Sequence, residues 1–85
     1  MTIDELRKRL KQISPLMFIV YKDFQPTRIF FKEMNENYLI CDFISNQIDV
    51  TNCFKYLEID KIDDLKKLIT KYVNDRDKEE DDNEH

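Results

Sequence analysis

LMFIVYKDFQPTRIFFKEMNENYLICDF, residues Leu16–Phe43, is the stretch whose reading decides the fold. It divides into three runs rich in β-branched and aromatic residues: Leu16–Phe24, Arg28–Met34 and Tyr38–Phe43. Such residues fit a pleated, half-buried surface, and the joints between the runs carry Pro or Asn, which favour turns. Gln25–Pro26–Thr27 and Asn35–Glu36–Asn37 are the predicted turns. Joints this short suit antiparallel neighbours, because parallel strands need a long crossover, so the sequence predicts a meander.

The first run has apolar residues on both faces, with Leu16, Phe18 and Val20 alternating with Met17, Ile19 and Tyr21. That pattern predicts a central strand covered on both sides. The second run sets Ile29, Phe31 and Glu33 against Arg28, Phe30, Lys32 and Met34. The third alternates Leu39, Cys41 and Phe43 with Tyr38, Ile40 and Asp42.

Helices are predicted on either side of this sheet. Thr2 followed by Glu5 has the spacing of a capping box, and Ile3, Leu6, Leu10 and Ile13 then share one helical face. Arg7, Lys8, Arg9 and Lys11 lie mainly on the other side, and Ser14–Pro15 ends the helix. After a turn at Ser45–Asn46 two readings compete: a fourth strand from Ile48 and Val50, or a strand over Cys53–Ile59. The alternation of Phe54 and Tyr56 with Lys55 and Leu57 favours the second. Asp60 is a natural N-cap, Asp63 and Asp64 suit the first turn, and Ile62, Leu65, Leu68, Ile69, Tyr72 and Val73 form a helical stripe.

The expected fold is a single α+β domain over residues 1–73, in the order α-β-β-β-(β)-α, with an antiparallel sheet packed by two helices. Periodicity stops at Val73, and acids beside the negative end of a helix dipole fray it, so 74–85 is expected to be a disordered acidic tail. If both helices share one face of the sheet, the other exposes aromatics such as Tyr21, Phe30 or Tyr38. A bare apolar face is a contact surface for a partner or for a second copy.

Composition removes several functions. The chain has no Gly and no Ala, so a phosphate cradle built on close backbone approach is excluded. His85, the only histidine, is the last residue, and Cys41 and Cys53 stand twelve apart with no C-x-x-C pair. A His-based nucleophile pair, a metal centre and a disulfide framework all lack their residues. Both cysteines read as buried small hydrophobes. Asp63 and Asp64 are adjacent and point apart on a helix, which suits first-turn charges better than acid–base catalysis. The reading is of a non-enzyme without cofactor.

Charge is concentrated at the C-terminal end. Asn74–His85 carries seven acids (Asp75, Asp77, Glu79, Glu80, Asp81, Asp82, Glu84) against two bases, net −5, whereas Met1–Val73 is +1. Clustered carboxylates suit a basic groove on another protein and compete there with nucleic acid. Basic residues of the first helix beside sheet aromatics give a second reading, a nucleic-acid-binding regulator, against which the acidic balance weighs. No membrane span is predicted, and the acidic start Met1–Glu5 does not suit a secretion signal, so a cytoplasmic location is expected.

Phe, Tyr, Met, Ile, Asn and Lys make up 39 of the 85 residues, a vocabulary of A/T-rich codons. In size, charge, this vocabulary and the lack of a catalytic site, the chain resembles small acidic proteins that phages carry against host defence, anti-CRISPR proteins among them. That likeness implies a phage or mobile-element inhibitor acting in the host cytoplasm. Its partner would be a host protein such as a nuclease or CRISPR effector, and a homodimeric subunit is a further alternative.

Overall fold

The computed structural model describes residues 1–83, leaving aside the side chains of residues 52, 54 and 79–83. Helix α1 (Ile3–Ile13) precedes strands β1 (Met17–Lys22), β2 (Gln25–Glu33), β3 (Glu36–Asp42) and β4 (Gln47–Ile48). A 3-10 helix (Thr51–Lys55) then leads into helix α2 (Ile59–Asn83). All three strand pairs are antiparallel, and the sheet order is β1-β2-β3-β4, so the meander is as the short joints predict.

Helix α1 starts as its sequence dictates. The Thr2 hydroxyl accepts the Glu5 N–H at 3.2 Å, and the chain turns extended at Ser14 before Pro15. Leu6 and Leu10 are buried against Met17, Ile29 and Phe31 of the sheet. Each such side chain contributes about 1.5–3 kcal/mol by leaving water. From α2, Ile62, Leu65, Leu68, Ile69 and Tyr72 enter the same core, and the Tyr72 ring meets Phe43 edge-on at 5.2 Å. Cys41 and Cys53 are both buried and unbridged within that core.

Several local expectations are corrected. β1 lies at the edge of the sheet and only one of its faces is covered; its apolar outer residues are exposed or half-buried rather than central. The first turn is Asp23–Phe24, both at positive φ (53° and 66°), a two-residue geometry that matches the twist of the hairpin. Pro26 lies inside β2 beside an extra residue, Thr27, where the pairing shifts and a missing N–H is tolerated. The second turn is Met34–Asn35, with Met34 at φ 50°. In a chain without glycine, these non-glycine residues take left-handed positions themselves.

Residues Cys53–Ile59 are not a strand. The fourth strand is Gln47–Ile48, which shares Ile48 with the less favoured reading but stops short of Val50, and the Asp49 N–H donates to the Ile40 carbonyl at 2.7 Å just beyond it. The Asp49 carboxylate then accepts the Thr51 N–H, and the Cys53 carbonyl accepts from Tyr56 and Leu57, coiling the segment. Short-range backbone bonds, begun by the Asp49 side chain at Thr51, take the place of a strand ladder over Phe54–Leu57. Asp60 falls in the first turn of α2 rather than capping it.

Helix α2 also passes Val73, where periodicity predicts its end. Asp75 accepts the Met1 α-amino group at 2.8 Å, and Arg76 reaches the Asn46 side chain at 3.4 Å. These tertiary contacts hold a segment whose sequence pattern has lost its stripe. For Glu79 onward the expectation of disorder lies outside the described side chains, and Glu84 and His85 lie outside the described residues.

Candidate functional site

Both helices pack on one face of the sheet, which leaves the other bare. The strand registers identify what it presents. Phe18 pairs with Phe30, and Phe30 with Leu39, so one row crosses three strands. The Phe18 and Phe30 rings stack with centroids 5.6 Å apart and planes 21° apart. Val20 and Leu39 are partly exposed on the flanks of this pair. A bulge at Ile40–Cys41 turns both of these residues inward opposite Ile29, and alternation resumes with Asp42 outward.

Polar groups frame the row. On one side Arg28 faces Asp42 across the strands at 3.4 Å. Asp42 also accepts the N–H groups of Ile44 and Ser45, and these bonds, Ser45 first, hold its carboxyl below the ordinary carboxylate range. On the other side Lys32, Met34, Asn35 and Asn37 line a hollow against Phe18. Met34 is 89% exposed at its hairpin tip and Phe24 is 92% exposed at the opposite one. The face offers apolar contact, two lysine or arginine heads and side-chain amides. It presents neither a nucleophile–base pair nor a metal-ligand set, and among the described residues no group of acids, cysteines or histidines is placed to hold a metal ion.

Of the residues singled out in the sequence, Phe30 stands at the centre of this face. Tyr21 and Tyr38 do not share it. Tyr21 closes β1 on the α1 side near Arg7. Tyr38 lies opposite Phe31 on the helix side, and its hydroxyl donates to Glu36 at 2.7 Å, which raises its pKa. Beside it Tyr56 stacks on Phe31, and a hydrogen bond to Glu33 pushes its phenol up to about 12. Asp75 is engaged by Met1, and Asp77 lies beside Arg76 at 3.4 Å. Glu79, Glu80, Asp81, Asp82 and Glu84 lie outside the described side chains. Phe18, Leu39 and Val20 were missed because single-strand alternation does not say which residues of different strands become neighbours.

Three of the four basic residues of α1 divide between two surfaces. Arg7 and Lys11 turn toward β1, whereas Arg9 joins Lys61, Lys67 and Lys71 of α2 around a groove floored by Ile13 and Leu68, with Asp64 as its one acid. The groove around Arg9 includes neither Phe18 nor Phe30, whereas Phe18 lines the surface that Arg7 and Lys11 border.

No family model, curated protein or solved structure matches the chain. No helix among the described residues is long and apolar enough to cross a membrane.

Proposed function

We propose that this chain is a non-enzymatic protein-binding module that docks through the bare face of its sheet. The observation that carries the reading is the row Phe18–Phe30–Leu39, an apolar band left outside a core that both helices already close. Exposed contiguous apolar surface bordered by polar groups is where proteins meet partners. The net charge of −5 over Asn74–His85 supports a finer reading: a phage or mobile-element inhibitor of a nucleic-acid-handling host protein, such as a nuclease or CRISPR effector, in the host cytoplasm.

The test is capture from a low-GC bacterial lysate on the immobilised full-length protein, in parallel with a Phe18→Ser/Leu39→Ser variant shown to fold. Retention of a nucleic-acid-handling protein by the parent and its loss by the variant supports the proposal. Equal retention by both removes the sheet face from the mechanism. A second reading, nucleic-acid binding, is favoured by the convergence of Arg9, Lys61, Lys67 and Lys71. It requires an oligonucleotide shift at low salt that Arg9→Gln with Lys71→Gln weakens.

A further inference from the structure

A second surface lies along the free edge of β1, beyond which the described residues place no strand. The Leu16 carbonyl accepts the Lys32 N–H at 2.9 Å, so Leu16, Phe18 and Val20 turn their backbone groups toward β2. Ile19 and Tyr21, alternating with them, turn theirs outward. Edges are ordinarily blunted by Pro, a bulge or an inward charge. β1 reads Met-Phe-Ile-Val-Tyr before its first charge, Lys22, and the bulge beside it belongs to β2. Such a row of unpaired groups is a template for an added strand.

The neighbouring helix decides what kind of strand fits. Arg7, Leu10 and Lys11 of α1 face Met17, Ile19 and Tyr21 across a groove, apolar at its floor and cationic at its rim. Asp4 holds Arg7 at 2.8 Å on an exposed side, and Lys11 donates to the Pro15 carbonyl at 3.0 Å. Beyond Arg7 and Tyr21 the hollow continues to Asp23 and the exposed ring of Phe24.

A second copy of β1 suits the backbone but not this rim. Pairing about Ile19 would set Phe18 beside Val20 and Met17 beside Tyr21, all apolar. It would also bring Arg7 and Lys11 of both copies to one seam, where like charges oppose each other. A strand alternating acidic and apolar residues meets both demands. Its acids, pointing to the α1 side, reach Arg7 and Lys11, and its apolar side chains extend the Phe18–Phe30 row on the other face.

We infer that the β1 edge docks an extended segment of alternating acidic and apolar residues, added to the sheet as a fifth strand. This surface goes beyond the bare-face reading and stands without it. The test titrates the full-length protein with an end-blocked peptide of about six residues alternating Glu and Val, a common strand length. A Lys–Val peptide is the control. The expected result is saturable binding that shifts the Ile19 and Tyr21 N–H resonances and slows their exchange, with the Lys–Val peptide at least about tenfold weaker. Tyr21→Pro removes an outward donor where an edge strand tolerates Pro, and lowers affinity by about tenfold. Arg7→Glu with Lys11→Glu, both outside the core, reverses the preference between the peptides whether or not the Pro variant folds. Equal binding of the two peptides, shifts confined to other residues, or a dimer that Tyr21→Pro dissociates would overturn the inference.

Discussion

Phe18 and Phe30 stack across β1 and β2 on the sheet face that neither helix covers, while Phe31, the next residue, is 1% exposed in the core on the opposite face. Adjacent phenylalanines thus have different roles, set by the two-residue period of a strand. Phe31→Ala is expected to cost about 3–5 kcal/mol in denaturant unfolding, the usual range for emptying a buried aromatic site. Phe30→Ala is expected to lose little more than the ring pair, about 0.5–1.5 kcal/mol. Equal losses would mean that the outer face is covered.

Phe24 keeps a left-handed backbone with its ring in water. Replacing it with the residue that takes this conformation without penalty relieves the backbone and sacrifices little packing. Phe24→Gly is expected to stabilise the fold by about 1 kcal/mol and to raise the melting temperature accordingly. If the variant also loses an affinity of the parent, the ring is retained for contact.

Cys41 and Cys53 are pushed up to about 12 and about 11, mainly by burial. Both thiols are expected to resist a thiol reagent at pH 8 in the folded protein and to react promptly once it is unfolded. The linkage has a definite sign. Folded-state values above the ordinary 9.0 mean that the native state keeps its protons longer, so this contribution is intact below pH 9 and is lost as pH rises toward 11–12. Cys41→Ser, measured by urea unfolding at pH 8 and pH 10, should show a shallower alkaline decline than the parent.

Asp42 titrates in the other direction. Its carboxylate accepts the Ser45 and Ile44 N–H groups and faces Arg28, and its pKa is lowered. Stability from these bonds is present above the ordinary carboxylate value and is lost as pH falls through the lowered one. Asp42→Asn should flatten that part of the acid limb in a series of urea melts, leaving neutral-pH secondary structure unchanged.

Asp75 and Arg76 make truncation of the acidic end sensitive to where the cut falls. Ending the chain after Val73 removes the partners of Met1 and Asn46 and is expected to lower the melting temperature by several degrees. Ending it after Lys78 keeps both partners while removing the acids from Glu79 onward. A partner affinity that survives the second cut and weakens with the first reflects the fold rather than the acidic charge.

The sequence by itself determined the elements and their kinds. Thr2, Ser14 and Pro15 bound α1, the stripe from Ile62 to Tyr72 makes α2 amphipathic, and short joints oblige the strands to turn back on one another. These are consequences of neighbours along the chain, and periodicity records them. Only the tertiary structure decided which residues from different strands meet: Phe18 with Phe30, Tyr38 on the helix side, and β1 at an edge despite its apolar character. Bulges at Thr27 and Ile40 reset the alternation, and Asp49 coils a segment that alternates like a strand. Asp75, three residues beyond Tyr72 on α2, is held by Met1 from the far end of the chain. Register, strand order and such long-range pairs depend on packing between segments remote in sequence, which no local pattern encodes.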